Sequence, residues 1–269
     1  MSDEGRGKTA LVTGASSGIG KAFAELLAAK GYAVVLTARR SDRLEALASE
    51  LRQKHGVSTH TIVADLAQPD ASEHIAKDLA SRGLMIDLLV NNAGYGVPGS
   101  YVNVSWRDHE RFMQVLVTAV LDLTYRLLPG MLERGWGRII NIASVAGMMP
   151  APAGHTLYGA SKAFVIRFSE ALAAENAPKG VNVTAVCPGF TWSEFHDVTG
   201  TRDKMNRMPR MLWLNADAVA REGYDAVMKG RPVVVNGGIY RFLVWLNGAM
   251  PRSISRWVSG VAGRRYRKT

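Results

Sequence analysis

Short, mainly apolar runs alternate with amphipathic segments along nearly the whole chain, and that alternation decides the fold class. The runs lie at 9–13, 33–38, 61–64, 86–90, 138–143, 181–186 and 232–235. Most hold apolar residues at successive positions, so strands built from them need cover on both faces. The segments between them, at 19–30, 41–54, 70–82, 106–133, 156–176 and 216–228, have the length and spacing of helices. Strand, helix and next strand in series make a parallel sheet wrapped on both sides. The expected architecture is therefore α/β: a doubly wound, mostly parallel seven-stranded sheet. The chain has no internal repeat and no low-complexity tract. Residues 1–236 are expected to form one nucleotide-binding domain, with a substrate loop at 190–213. Residues 237–269 are expected to form a basic, amphipathic extension.

Composition narrows the classes further. The 269 residues are 47% hydrophobic and 21% charged, enough for a sizeable core. One cysteine, Cys187, excludes an internal disulfide and a cysteine-based metal cluster. The six histidines lack metal-ligand spacing, so no metal is expected. No run of about 18 apolar residues and no apolar stretch near the N-terminus is present, which favours a cytoplasmic protein. The net charge of +10 is unevenly spread. After Asp225 come nine Lys or Arg residues and no acid, whereas the chain up to Asp225 is close to balanced. The tail is basic without a nucleic-acid module, and no nucleic-acid partner is expected.

The first strand runs into Thr13-Gly14-Ala15-Ser16-Ser17-Gly18-Ile19-Gly20, and a helix follows. Gly14 suits a tight turn, Gly18 close approach of backbone to a pyrophosphate, and Gly20 close packing of helix on strand. The helix N-terminus then offers free N–H groups to phosphates. The second strand ends in Arg39-Arg40, where an acid would accept from the ribose 2′-hydroxyl of NAD. A guanidinium suits a 2′-phosphate, so NADP(H) is the expected cofactor and Arg39 the expected ligand. Arg40 is either a second ligand or a solvated residue opening the next helix.

Tyr158 and Lys162 are four residues apart, which puts them on one face of a helix. A tyrosine with a pKa near 10 is a poor acid at neutral pH, and a neighbouring ammonium is expected to lower that value. Tyr158 could then protonate a carbonyl as a hydride arrives. Ser144, at the end of the fifth strand, could hold the carbonyl oxygen.

These segments, with Asp65-Leu66, Asn91-Asn92-Ala93-Gly94 and Pro188-Gly189, resemble the short-chain dehydrogenase/reductase family over about residues 8–236. The resemblance implies Tyr158 as acid–base, Ser144 as substrate-orienting group, and Lys162 as holder of the nicotinamide ribose. It implies a cofactor site from Gly14, Ser16, Ser17, Gly18, Ile19, Gly20, Asp65, Leu66, Asn91, Ala93, Gly94, Pro188, Gly189 and Thr191. Asp65 would hold the adenine amino group, and Thr191 or Ser193 the carboxamide. The family usually has an asparagine that helps hold a proton-relay water where this chain has Leu116. Either the relay is rebuilt from water and backbone, or the protein binds NADP(H) and turns over slowly.

Apolar residues of the 190–213 loop suit a hydrophobic ketone or aldehyde and its alcohol. Phe190, Trp192, Met148 and His155 are the candidate substrate contacts. Residues 239–269 suit an anionic membrane surface, a contact within a homo-oligomer, or a lid over the pocket.

Overall fold

The computed structural model describes residues 4–97, 99–151, 156–192 and 209–251. Seven parallel strands, β1 (Thr9–Thr13), β2 (Ala33–Ala38), β3 (Thr59–Val63), β4 (Leu88–Asn91), β5 (Gly137–Ile142), β6 (Val181–Cys187) and β7 (Val233–Val235), form one sheet. Their order is β3-β2-β1-β4-β5-β6-β7. The winding reverses between β1 and β4, and a crevice opens there at the carboxyl ends of the strands.

Helices α1 (Gly18–Ala29), α2 (Ser41–His55), α3 (Ala71–Ser81), α4 (Trp106–Met113), α5 (Ala119–Glu133), α6 (Thr156–Asn176) and α7 (Ala216–Met228) cover the sheet. Side chains alternate across a strand, so neighbours enter opposite cores. Val12, Leu36 and Val90 pack with Phe23, Leu44 and Val219 of α1, α2 and α7. Leu11, Val35 and Leu89 pack with Ile75, Phe112 and Leu123 of α3, α4 and α5.

Three details depart from expectation. The helix expected at 106–133 is interrupted by a π-helical turn, Gln114–Thr118, which Leu116 occupies with 1% exposure. That composite helix is also long and apolar enough to cross a membrane by composition alone, contrary to the sequence expectation. It is built into the fold, with Phe112, Leu116, Ala119, Leu123 and Met131 in the core against the sheet. The residues after 236 do not all lie apart. A further helix, α8 (Gly238–Ala249), starts directly after β7 and packs back on the domain through buried Tyr240. Residues 252–269 lie outside the described residues.

Candidate active site

The turn after β1 opens into the crevice. Gly14 has φ +64°, and a Cβ there would fall 2.9 Å from the Ala93 backbone. A Cβ on Gly20 would fall 2.4 Å from the Gly14 carbonyl oxygen, so the turn and α1 meet backbone to backbone. Two residues that the sequence reading did not single out hold this turn to the end of β4. Thr13 Oγ1 accepts from the N–H groups of Asn92 (2.9 Å) and Ala93 (3.0 Å), and the Asn92 amide donates to Thr13 O (2.9 Å). These bonds join residues that are far apart in sequence, and local motif spacing does not reveal them.

Arg40, rather than Arg39, reaches the phosphate turn. Its guanidinium donates to Ser16 Oγ (2.9 Å) and Ser17 Oγ (3.3 Å). The Ser17 side chain does not cap α1, so the first N–H groups of the helix have no side-chain cap from it. Arg39 is exposed at the end of β2, close enough to Tyr95 for its charge to act on that phenol. A turn without room for a Cβ, an α1 entrance not capped by Ser17, and an arginine across two serine hydroxyls fit a dinucleotide with an extra phosphate.

Asp65 lies beyond β3, in the loop toward the same end of the sheet. Its Oδ1 accepts from Ala67 N–H (3.1 Å), and its Oδ2 lies 3.4 Å from Arg111 of α4. Arg111 is a third residue that the sequence reading passed over. Leu66 is buried in the second core, and Ile19 packs against the first. Gly94 backs onto Leu116, with a hypothetical Cβ 3.9 Å from its Cδ1. Leu116 is thus a core side chain flanking the crevice.

Ser144 stands at the end of β5 and opens a short 3-10 turn, Val145–Gly147. Its Oγ accepts from Ala146 N–H (3.2 Å) and donates weakly to Pro188 O (3.4 Å). Tyr158 hydrogen-bonds to Ser144, and Lys162 Nζ lies 5.8 Å from the Tyr158 ring centre, so α6 brings two groups to the one that β5 supplies. The expected electrostatics are corrected here. Burial raises the Tyr158 phenol above its usual pKa, and the Ser144 hydrogen bond only partly offsets this. The Lys162 ammonium turns toward the Ile142 carbonyl, 2.7 Å away. Burial lowers the Lys162 pKa to about 8, with Cys187 acting the other way.

Lys162 therefore costs the folded protein stability. Its pKa is 10.5 in the open chain and about 8 in the native site, so the unfolded state binds the proton more tightly. The penalty is full below pH 8, shrinks as pH rises and is gone above 10.5. At neutral pH it is about 3 kcal/mol. Lys162→Met is expected to raise the melting temperature by about 2–4 °C at pH 7 after the lost bond to Ile142 is counted. The gain fades by pH 10. Differential scanning fluorimetry at the two pH values checks this; an equal gain at both would assign it to packing.

Behind the site runs a chain of buried amides and hydroxyls. Asn91 donates to Thr124 Oγ1 of α5 (3.2 Å) and to Asn141 Oδ1 (2.9 Å), its register partner on β5. Asn141 donates to Ser169 Oγ of α6 (2.9 Å), which donates to Val165 O (2.7 Å). Asn91 thus ties β4 to β5 and to α5 at the centre of the sheet.

Pro188 and Gly189 follow β6 into the crevice. Thr191 is buried, and its Oγ1 donates to Gly189 O (3.1 Å). Phe190 is partly buried against Trp213, and Trp192 is half-exposed and stacked on Trp213 at 4.0 Å. Met148 packs beside the third core and accepts through its carbonyl from Asn247 of α8 (3.3 Å). His155, Ser193 and the loop at 193–208 lie outside the described residues.

Residues 8–203 match the short chain dehydrogenase family. The chain belongs to that family. It is 42% identical over 190 residues to the very-long-chain 3-oxoacyl-CoA reductase of Homo sapiens, covering 69% of this chain and 60% of that protein. The match thus spans less than two thirds of that relative's length. The 3-oxoacyl-[acyl-carrier-protein] reductase of Aquifex aeolicus is 32% identical over 244 residues, 87% of this chain and 98% of that protein. Among solved structures, a short-chain dehydrogenase of Sphingobium yanoikuyae in complex with NADPH superposes with a TM-score of 0.81. Its identity is 34%, covering 90% of this chain and 93% of that one.

Proposed function

We propose that the protein is an NADP(H)-dependent reductase of 3-oxoacyl thioesters, hydrophobic ketones that it converts to the 3-hydroxy compounds. The observation that carries the chemistry is the meeting of Ser144, Tyr158 and Lys162 beside the crevice of the switch point. The substrate class is supported by two relatives named for 3-oxoacyl reduction, one on coenzyme A and one on acyl carrier protein.

Gly14, Gly18 and Gly20 shape the pyrophosphate turn, and Arg40 with Arg39 supplies charge for the 2′-phosphate. Asp65 faces the adenine end, and Pro188, Gly189 and Thr191 line the nicotinamide end. When bound, NADPH supplies the hydride that reaches the ketone carbon. Ser144 exchanges its long bond to Pro188 for one to the ketone oxygen. Tyr158 gives that oxygen its phenolic proton. Tyr158 is protonated at neutral pH, the form that reduction of a ketone needs. Lys162 stays charged up to about pH 8 and stabilises the phenolate left behind. Leu116 offers no hydrogen bond, so reprotonation runs through water and backbone.

The test is NADPH oxidation followed with 3-oxoacyl-CoA of short and long chain, with plain ketones and aldehydes as comparison. Turnover and a 3-hydroxyacyl product are expected. NADPH binding without turnover across the set would favour a cofactor-binding protein. Turnover of plain ketones alone would replace the substrate class.

The same proposal places the protein at an anionic membrane surface through its C-terminal region. Phe242, Trp245 and Leu246 of α8 are 57%, 66% and 37% exposed, and no acid follows Asp225. Vesicles containing phosphatidylserine are expected to co-sediment the protein at low salt and release it at high salt. Phe242→Ser with Trp245→Ser is expected to weaken that binding about tenfold or more. Unchanged sedimentation of this variant removes the assignment.

A further inference from the structure

Tyr240 is the one buried residue of α8, and it lies against three parts of the site at once. Its ring lies flush on Gly189, where a Cβ would fall 2.0 Å from Cζ. Its hydroxyl accepts from Phe190 N–H (3.1 Å) and donates to Leu212 O (2.7 Å). Phe190 and Leu212 stand at the two ends of the substrate loop. Those ends are also joined directly, by Leu214 N–H to Phe190 O (2.8 Å), Trp192 N–H to Leu214 O (3.0 Å) and the stack of Trp192 on Trp213. The neck so formed continues through Gly189 to Pro188, whose carbonyl accepts from Ser144 Oγ and from Val145 N–H (3.1 Å). A short path therefore leads from the α8 hydroxyl to the serine that orients the ketone.

We propose that Tyr240 is a positioning residue of this active site, fixing the neck of the substrate loop over Pro188-Gly189 and so setting where the substrate lies relative to Ser144. The proposal rests on the reductase reading of the site and extends it to a residue outside the family match. Burial keeps the hydroxyl protonated, so it donates and accepts throughout the neutral range. Gly189 is the complement of this arrangement, because any side chain there displaces the ring.

Tyr240→Phe keeps the ring on Gly189 and removes both hydrogen bonds. KM for the 3-oxoacyl substrate is expected to rise about tenfold, the scale of one to two neutral hydrogen bonds, with kcat and the NADPH dissociation constant within about twofold. Gly189→Ala displaces the ring together with its hydroxyl and is expected to raise KM at least as far. A lower melting temperature with KM unchanged would make Tyr240 a structural residue and overturn the proposal. Trypsin cleavage at Arg202, Lys204 and Arg207, inside the loop, needs no substrate. It is expected to quicken several-fold in Tyr240→Phe, and an unchanged rate overturns the proposal even if the wild type reduces no thioester. In that event the substrate class has failed separately.

Discussion

Tyr158→Phe is expected to lower kcat about a thousand-fold, within the range assigned to a positioned acid, and to leave NADPH binding within about twofold. The ring packs against the second core and survives the change, so α6 keeps its place. What is lost is the proton aimed at the ketone oxygen and the bond to Ser144. Single-turnover reduction at saturating NADPH, with cofactor fluorescence as the binding control, separates chemistry from binding. A fall of less than tenfold would mean that water delivers the proton and would remove Tyr158 from its assigned role.

The second large effect concerns the two arginines. Arg39→Ala with Arg40→Ala is expected to weaken NADPH about a hundred-fold or more while NADH stays nearly unchanged, because a charge-assisted bond to phosphate contributes about 1.5–3 kcal/mol. The single variants apportion the effect. Arg40→Ala is expected to carry the larger share, since its guanidinium already spans Ser16 and Ser17, whereas Arg39 is exposed. Titration of both nucleotides against the three variants is the measurement. An NADPH-to-NADH preference that survives the double change would make both arginines solvated surface residues.

Neighbouring residues carried the legible parts of this molecule. The strand-turn-helix glycines, the Tyr158–Lys162 spacing and Ser144 at a strand end are local patterns, and each stands where its pattern placed it. The seven strands were legible for the same reason, although β3 and β4 begin at Thr59 and Leu88 rather than at the expected 61 and 86. Contacts between distant segments were not legible. Asn92 meets Gly14 only because β4 pairs with β1, and Arg111 meets Asp65 only because α4 crosses the end of the sheet. Tyr240 was read as part of a tail, since nothing local announces that Gly189 leaves room for its ring. The sign of the Tyr158 shift failed for a different reason. Spacing reports that an ammonium is near, but it reports neither burial, which raises the phenol, nor that Lys162 Nζ donates to the Ile142 carbonyl.

The buried line from Thr124 through Asn91 and Asn141 to Ser169 has an evolutionary corollary. It anchors the helix that bears Tyr158 about three turns below that residue, from strands rather than from loops. The Tyr158 half of the site is thus insulated from whatever happens at the pocket mouth. On the proposed reading, substitutions at 193–208 would change which acyl chain is accepted and leave the reaction itself unaltered.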